Sequence, residues 1–510
     1  MITFRVGERD IGITRSASAR AACERSSVQQ AQSSTAAELL DKFARVETPS
    51  QRFDEILARS LTDVALLQVR REKHCFTAAG VPWFVGLFGR DSLLPAIQCL
   101  AFNPDLGPHT ARALAYWQGK TDDPVTLEEP GKILHELRVG ELANLHEVAQ
   151  TPSYASVDST LLFLIAIARH VEWTGNFDLF DELRPNIADA LSWLDRKTAE
   201  NEAGFITYDG ALADGQPVNQ SWRDSGTGVL RADGNYPKPP LALVEVQGYA
   251  YQARIMIARL LRRAGDEDLA KRLEKAASEL QNRFLRDFWM ESEACYCLAL
   301  EKNGRQVASV SSNAAQVLWT GIASAEHARR ISARMMRPDM FSGWGIRTMS
   351  ADHPRFDPLA YQQGSVWPFD NALIVSGLRR YGEDKAALAV TAATIDAARS
   401  FRLTRLPEFI AGMQRHGGDV PIHTPRADPL QAWSAGAVPF MISELLGLQA
   451  DGFDNRLHIR RPVLPDGVDR LVLHNMRVAG TQVSLCFSRC LNSILTEVIA
   501  GDDKLEVVFE

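Results

Sequence analysis

The feature that most constrains the fold is a helical segment closed by glycine, which recurs through the middle of the chain. Each segment is apolar at helical spacing, and the closing residues are Gly175, Gly265, Gly321 and Gly382. Glycine after the last turn adopts the left-handed conformation that ends a helix. An acidic residue next to it suits the N-terminus of the following helix. The pattern predicts a succession of helices joined by tight turns.

Counting the segments with helical periodicity predicts twelve helices. Their approximate spans are 52–72, 91–102, 108–119, 157–173, 178–200, 241–264, 267–287, 311–320, 324–336, 364–381, 384–400 and 431–446. The even-numbered helices are more apolar on every side, as at 161–168 and 372–375. Helices that are apolar all round are buried, whereas helices with a charged face look outward. Six inner and six outer helices predict a mainly α fold, the (α/α)6 toroid barrel of six helical hairpins. The alternative is an α-solenoid, but its repeats have regular lengths and the spacing of these glycines varies.

The ends of the chain differ from this helical part. A Ser/Ala/Gln-rich stretch runs through Ser34 and predicts an N-terminal arm or linker over residues 1–50. The barrel is predicted over 51–450. Beyond it, segments 456–460, 470–473, 482–487 and 505–509 alternate or are rich in β-branched residues, and turn signals separate them. Residues 451–510 are therefore predicted to form a small β module.

Composition excludes several classes of partner. The net charge is −7 and no block of five basic residues occurs, so neither nucleic acid nor an anionic membrane is expected as a partner. No apolar run is long enough for a membrane span, and no secretory signal is evident. The seven cysteines are scattered and lack partners at zinc spacing, which predicts a cytoplasmic protein without a metal site. No glycine-rich phosphate loop and no cofactor are expected. The oligomeric state is left open.

Connections from outer to inner helices are long and carry an unusual set of side chains. Each pairs aromatic residues with carboxylates or amides, and all six loops open at the same end of the predicted barrel. Such loops on a rigid scaffold are where function concentrates. Aromatic faces cover the C–H side of a sugar ring, while acids and amides bind its hydroxyl groups. The candidate sugar-binding residues from these loops are Trp83, Arg90, Asp91, Asp158, Trp222, Arg223, Trp344, Gln363, Trp367, Asp370 and Trp433.

Two carboxyl groups are needed to hydrolyse a glycosidic bond, one to protonate the leaving oxygen and one to activate water. Asp224, close to Trp222, is the candidate general acid, because an apolar neighbour holds a carboxyl protonated. Glu408, which follows Pro407, is the candidate general base. Structural alternatives remain open: Arg90–Asp91 as an ion pair, Trp83 and Trp367 as core residues, and Asp158 as a helix cap.

Five motifs together resemble one enzyme family. They are FGRDSLL (88–94), NQSWRDSG (219–226), GWGIRT (343–348), YQQGSVWPFDNALI (361–374) and RLPEF (405–409). In combination they resemble the glucosidase domain of amylo-α-1,6-glucosidase, the glycogen-debranching enzyme, over roughly residues 50–450. The resemblance implies an inverting glycosidase of the (α/α)6 group that acts on α-1,6-glucosidic linkages in glycogen-like oligosaccharides. It further implies Asp224 as acid, Glu408 as base, and most of the candidate sugar-binding residues around the sugar.

The chain departs from that family at several points. Relatives usually carry a large N-terminal β-sandwich, whereas only about 50 residues precede the predicted barrel, and no transferase domain is recognised. Gln362 and Phe369 stand where histidine is frequent, and Thr227 stands where a second acid is frequent. These departures leave the substrate open. The alternatives are a trehalase-like or small-glucoside hydrolase, a sugar isomerase or epimerase, and a carbohydrate-binding protein without catalysis.

Overall fold

The computed structural model describes residues 2–6, 9–13, 38–71, 74–145, 147–148, 151–210, 216–491 and 493–510. The chain divides into two units, residues 1–43 and 44–510. The first contains an antiparallel hairpin of strands β1 (Ile2–Val6) and β2 (Arg9–Ile13). The Ser/Ala/Gln-rich part of the predicted arm, residues 14–34, lies outside the described residues.

The second unit is mainly helical, as the sequence predicts. Its fifteen α-helices in the described ranges are α1 (Gln51–Leu66), α2 (Gly89–Gln98), α3 (Leu106–Tyr116), α4 (Glu141–Asn144), α5 (Ser159–Thr174), α6 (Asp178–Glu182), α7 (Arg184–Ala199), α8 (Val244–Arg263), α9 (Glu267–Asp287), α10 (Asn313–Gln316), α11 (Ala325–Met335), α12 (Pro368–Arg380), α13 (Asp384–Ser400), α14 (Ala432–Ala435) and α15 (Ala437–Leu445). A 3₁₀ helix, Val317–Thr320, continues α10.

Each of the twelve predicted helical spans contains helix, and those at 267–287 and 384–400 agree to the residue. Two spans are divided. The span 178–200 is α6 and α7, because Pro185 lacks an N–H and starts a new helix. The span 431–446 is α14 and α15, which meet at Gly436. A Cβ on Gly436 would stand 2.3 Å from Oε1 of Gln98, so glycine permits this close approach to α2.

The glycine caps are confirmed in the structure. Gly175, Gly265, Gly321 and Gly382 all have positive φ, between 69° and 87°. This is the left-handed region in which glycine carries no steric penalty. The prediction succeeds because a helix end of this kind is decided by the local backbone and not by tertiary contacts.

The apolar helices pack in a closed order. Helix α2 packs on α5, α5 on α8, and α8 on the 3₁₀ helix after α10. That 3₁₀ helix packs on α12, α12 on α15, and both α14 and α15 pack back on α2. Helices α1, α3, α7, α9 and α13 pack on the outside of these. The side chains of 161–168 in α5 and of 368–379 in α12 are all buried, which agrees with their predicted inner position.

The chain ends in β structure, also as predicted. The strands of the second unit are β3 (Arg45–Glu47), β4 (Gln68–Arg71), β5 (His74–Thr77), β6 (Gly80–Val81), β7 (Leu87–Phe88), β8 (Glu136–Leu137), β9 (Leu241–Leu243), β10 (Trp289–Met290), β11 (Cys295–Tyr296), β12 (Ala299–Glu301), β13 (Gln306–Val307), β14 (Leu430–Gln431), β15 (Leu448–Asp451), β16 (Arg456–Ile459), β17 (Arg470–Val478), β18 (Thr481–Cys490), β19 (Ser493–Gly501) and β20 (Glu506–Phe509). The C-terminal sheets have the orders β19-β18-β17-β3 and β15-β16-β20. Strand β3 lies within residues 1–50, which the sequence predicts to be an arm or linker. In the structure its residues pair with β17 in a sheet.

The loops that precede the inner helices carry the predicted chemistry. Asp91 lies in the first turn of α2, Asp158 directly before α5, and Asp370 in the first turn of α12. Asp224 lies on the long connection to α8, and Glu408 on the connection to α14. In the described ranges, no helix is both long and apolar enough to cross a membrane.

Candidate active site

Arg90 lies at the centre of a group of three aspartates. Its Nη1 donates to both carboxylate oxygens of Asp158, at 3.2 and 3.0 Å, and its Nη2 donates to Oδ2 of Asp224 at 3.2 Å. Its Nε is 3.9 Å from Oδ2 of Asp91. Arg90 is 3% exposed. A planar guanidinium in such a position fixes the geometry of the carboxylates around it.

Asp158 is more than a helix cap. It occupies the N-cap position of α5 but makes no side-chain capping bond. Its carboxylate accepts hydrogen bonds from Ser156 Oγ at 2.5 Å and Ser221 Oγ at 3.1 Å as well as from Arg90. Asp158 therefore anchors Arg90, and Arg90 in turn orients Asp224.

Asp224 keeps access to solvent within this group. Its side chain is 28% exposed, whereas that of Asp158 has no exposure. Burial raises the pKa of Asp224 to about 6; Arg90 lowers it and the charge of Asp158 raises it. A carboxyl group whose pKa is raised in a partly open site is suited to proton transfer near neutral pH.

Glu408 is held from two sides. It is 1% exposed. The Tyr361 hydroxyl donates to Oε1 at 2.5 Å, and the backbone N–H of Asp428 donates to Oε2 at 3.0 Å. Burial raises the pKa of Glu408 to about 8, although both hydrogen bonds lower it.

Tyr361 and Gln362 connect the two carboxyl groups. While Tyr361 holds Glu408, the next residue holds the loop of Asp224: Gln362 Nε2 donates to the carbonyl of Trp222 at 2.7 Å, and its Oε1 accepts from Ser225 Oγ at 2.6 Å. Burial and then the charges of Glu408 and Asp224 raise the pKa of the Tyr361 hydroxyl. The two candidate catalytic groups therefore belong to one electrostatic environment.

Three of the candidate tryptophans form one aromatic cluster. Trp222 and Trp367 meet edge to face at 5.7 Å between centroids, and Trp367 meets Trp433 in the same way at 5.8 Å. Phe369 stacks on Trp433 at 4.0 Å, and Phe409 stacks on Trp367 at 5.2 Å. Trp222 and Trp367 are each 1% exposed. These rings form the wall that supports the site, and Phe369 fills the position where histidine is frequent.

We expect Trp367→Ala to lower the free energy of unfolding by about 3–5 kcal/mol, because a large buried ring is replaced by a cavity. Thermal or denaturant unfolding measures this, with Trp83→Ala as the matched control since Trp83 is 62% exposed. Equal stability of Trp367→Ala and the unaltered protein, with a change only in KM, would instead place Trp367 at the sugar surface.

The other candidate residues lie in different surroundings. Trp83 is exposed, and its carbonyl accepts from Arg138 at 3.1 Å. Trp344 packs under the guanidinium of Arg415 at 4.3 Å. Gln363 Nε2 donates to the carbonyl of Thr227 at 2.9 Å.

Arg223 and Asp370 have no exposed surface. Arg223 donates to the carbonyls of Gly228, Thr348 and Gln362, and Asp370 accepts from Gln316 at 3.0 Å. Their predicted contact with sugar has no geometric support, because both side chains are enclosed by protein.

Several residues at this site were not among the sequence candidates. They are Tyr361, Gln362, Asp428, Gln431 and Glu136. Gln431 Nε2 donates to Oδ1 of Asp91 at 3.3 Å. Glu136 pairs with Arg138, and burial raises its pKa to about 7, with the charges of Asp91 and Asp224 contributing. Tyr361 is the first residue of one of the five motifs, so the sequence contained a signal for it. Glu136 and Asp428 lie outside all five and carry no local signal.

A cavity of about 710 Å³ adjoins the site. Its walls include Ser225, Thr227, Tyr361, Gln363 and Arg426, so it lies next to the loop of Asp224. A larger cavity of about 1080 Å³ occurs elsewhere in the unit. Across the described ranges, no group of three His, Cys, Asp or Glu residues is arranged to hold a metal ion.

The chain matches the family described as the mannosylglycerate hydrolase MGH1-like glycoside hydrolase domain over residues 98–403, more than half of its length. The matched range includes Asp158 and Asp224 and ends before Glu408. No curated protein is significantly similar in sequence to this chain.

Solved structures of glycosidases share the fold. A GH63 mannosylglycerate hydrolase from Thermus thermophilus, in complex with Tris and D-glycerate, is 12% identical with a TM-score of 0.57, and the alignment covers 76% of this chain and 99% of that one. A GH78 rhamnosidase of Bacillus sp. GL1 is 15% identical with a TM-score of 0.65, and 92% of this chain aligns with 43% of it. A sialidase is 13% identical with a TM-score of 0.65, and 91% of this chain aligns with 41% of it. The chain thus spans less than half of the length of these last two proteins.

The family match identifies a glycoside hydrolase domain, whereas the sequence motifs pointed to amylo-α-1,6-glucosidase, which the match does not name. The matched range covers the helices on either side of the Asp224 loop. By this match, the chain belongs to the MGH1-like glycoside hydrolase family.

Proposed function

We propose that this chain is an inverting α-glycosidase with an (α/α)6 toroid barrel, in which Asp224 is the general acid and Glu408 the general base. The closed order of the apolar helices supports the barrel. The five motifs support an α-glucosidic substrate, with α-1,6 linkages in glycogen-like oligosaccharides as the first candidate. Trp83, with its exposed ring, is proposed as a surface on which the sugar stacks.

The observation that carries this proposal is the pairing through Tyr361 and Gln362. Asp224 and Glu408 are far apart in sequence, yet these two adjacent residues hold one carboxyl group and the loop of the other. Hydrolysis with inversion needs two carboxyl groups on opposite sides of the bond, with room for a water molecule. The loops before α8 and α14 can supply them from opposite walls of one mouth.

The pKa values of the pair bear on the mechanism. Burial raises that of Asp224 to about 6 and that of Glu408 to about 8. The proposed roles need a proton on Asp224 and none on Glu408, whereas without substrate the proton prefers Glu408. In both protonation states the pair of carboxyl groups carries one proton. The fraction of the protein with Asp224 protonated and Glu408 ionised therefore stays constant between pH values of about 6 and about 8. We therefore expect kcat/KM to fall below a pH of about 6 and above about 8.

Tyr361→Phe should move the alkaline limb of that profile. The lost hydrogen bond stabilised ionised Glu408, so the pKa of Glu408 rises further. Because Glu408 has the higher value of the pair, the alkaline limb shifts to higher pH, and the plateau falls as ionised Glu408 becomes rarer. A pH profile of kcat/KM measures both. An alkaline limb that does not move would contradict the proposed contact between Tyr361 and Glu408.

Arg223 and Asp370 are proposed to position the loops without touching sugar. Arg223 ties the Asp224 loop to Thr348 and Gln362, and Asp370 ties α12 to Gln316. Arg90, Asp91 and Asp158 are proposed to orient Asp224. Arg90 and Asp91, which keep some exposed surface, are also proposed to bind hydroxyl groups of the sugar.

A second candidate is hydrolysis of a glycoside whose leaving group carries a carboxylate, as in mannosylglycerate. Two observations favour it. The family match names mannosylglycerate hydrolase, and Arg426 lines the cavity beside the Asp224 loop. The general acid protonates the leaving oxygen, so the leaving group lies on the side of Asp224, where Arg426 offers a positive charge.

A hydrolysis screen separates these candidates. Its substrates are α-1,6, α-1,4 and α,α-1,1 glucosides and α-mannosylglycerate, each with the unaltered protein and with Arg426→Gln. Preference for a neutral α-1,6 glucoside, unaffected by Arg426→Gln, supports the first candidate. Preference for mannosylglycerate, reduced in Arg426→Gln, supports the second. Hydrolysis of none of the four contradicts the proposal of an α-glycosidase of this type.

A further inference from the structure

The 1080 Å³ cavity lies at the other end of the helices from the candidate active site. Its walls come from the last turns of α5, α8, α12 and α15, whereas the catalytic candidates precede the first turns. Asp158 directly precedes α5, and Arg169 lies further along the same helix. At about 1.5 Å a residue, the two are about 16 Å apart along the helix axis. The cavity is therefore separate from the site described above.

The walls of this cavity are rich in arginine. Eight arginines line it against three acidic residues, Glu172, Glu444 and Asp451. Five of the eight are paired with acids that are not part of the cavity wall: Arg262 with Glu274, Arg263 with Asp454, Arg379 and Arg461 with Asp384, and Arg460 with Glu510. Arg169, Arg259 and Arg380 remain as the group that faces Glu172 and Glu444.

These three guanidinium groups face two carboxyl groups, those of Glu172 and Glu444, so the positive groups outnumber the acids. Arg259 is 3.9 Å from Glu172. Arg169 lies over the ring of Trp319 at 5.0 Å, and its buried Nε has no hydrogen-bond partner in the described structure. Burial lowers the pKa of Arg169; the charges of Glu444 and Glu172 raise it, and the charge of Arg380 lowers it.

The two acids that face these arginines do not balance all three charges. Burial raises the pKa of both Glu172 and Glu444, and the nearby arginines lower it. Clustered arginines repel each other, and a bound anion relieves that repulsion through charge-assisted hydrogen bonds. A doubly charged anion suits three guanidinium groups better than a single carboxylate does.

The remaining wall is mainly apolar, although it also contains polar side chains such as Gln252 and Ser443. It includes Trp173, Tyr251, Met256, Leu260 and Phe440. The volume matches that of sites for small organic ligands, which are a few hundred to about 1,000 Å³. A free inorganic anion would make no contact with these apolar side chains.

We propose that this cavity binds a small phosphate ester, with its phosphate between Arg169, Arg259 and Arg380 and its organic part on the apolar wall. The proposal is independent of the reaction assigned to Asp224 and Glu408. The proposed ligand would bind at the end of the helices opposite the candidate active site.

Isothermal titration calorimetry of the full chain tests this with three probes, glucose 6-phosphate, inorganic phosphate and glucose, at constant ionic strength. We expect glucose 6-phosphate to bind with a Kd below about 1 mM and more tightly than either other probe. Arg169→Gln and Arg380→Gln should each weaken it at least about tenfold, since each loses a charge-assisted hydrogen bond. Arg329→Gln, an exposed arginine on α11, is the control and should bind normally.

The variants are first checked by thermal unfolding. Arg380 is exposed, so its variant retains the fold even if Arg169→Gln does not. No heat with glucose 6-phosphate at 10 mM, or unchanged affinity in Arg380→Gln, overturns the proposal. Equal affinity for inorganic phosphate and glucose 6-phosphate also overturns it, because the apolar wall would then play no part.

Discussion

Asp224→Asn should lower kcat on an α-glycoside with a poor leaving group by about 10²–10⁴-fold, the usual contribution of a general acid. The amide keeps the shape of the carboxyl group and its place beside Arg90, so thermal stability should change little. A general acid matters less when the leaving group departs unaided. The same variant should therefore keep most of its activity on an α-glycosyl fluoride.

The matched control is Asp233→Asn, an aspartate of the same connection that accepts from the backbone of Asn235. It should hydrolyse both substrates at the normal rate. Full hydrolysis of the poor substrate by Asp224→Asn would remove Asp224 from the mechanism. Equal loss on both substrates would contradict its role as proton donor.

Glu408→Gln should lower kcat by a similar or larger factor, and on both substrates, because the water must still be activated. A small anion such as azide needs no general base, so it should restore turnover in this variant and give a glycosyl azide. The hydrogen bond from Asp428 N–H can be kept by the amide oxygen. Glu279→Gln, on the exposed face of α9, is the control.

These two variants also decide which carboxyl group is the acid. The higher pKa of Glu408 would suit a proton donor, while the motif resemblance assigns that role to Asp224. If the roles are reversed, the fluoride is cleaved well by Glu408→Gln and azide rescues Asp224→Asn. We expect the opposite pattern.

The helical part of the fold was predictable because its signals are local. Glycine caps at Gly175 and Gly382, and the apolar run in α5, are read from neighbouring residues, and the structure agrees. The divisions at Pro185 and Gly436 were missed because periodicity continues across them. Two-residue strands such as β6 and β14 depend on a partner far along the chain, so no local pattern reveals them.

Site residues that lie in motifs could be predicted from the sequence. The roles of residues that depend on burial could be predicted less well. Sequence placed Arg90, Asp158 and Asp224 in one set of loops, and the structure brings them together. The enclosure of Arg223 and the contact of Tyr361 with Glu408 depend on packing between distant loops. Cytoplasmic location, glycogen debranching and the domain boundaries at residues 50 and 450 stay predictions.

The most direct test of the proposed mechanism is the configuration of the first product. In an inverting enzyme the carboxyl groups stand about 6.5–9.5 Å apart and water attacks the face opposite the leaving group, so no sugar becomes attached to the protein. Early-time proton NMR of the anomeric signal, recorded before mutarotation on an α-linked substrate found in the screen, reports this. We expect the β-anomer to appear first. Initial release of the α-anomer, or a sugar trapped on Glu408, would contradict inversion by this pair of carboxyl groups.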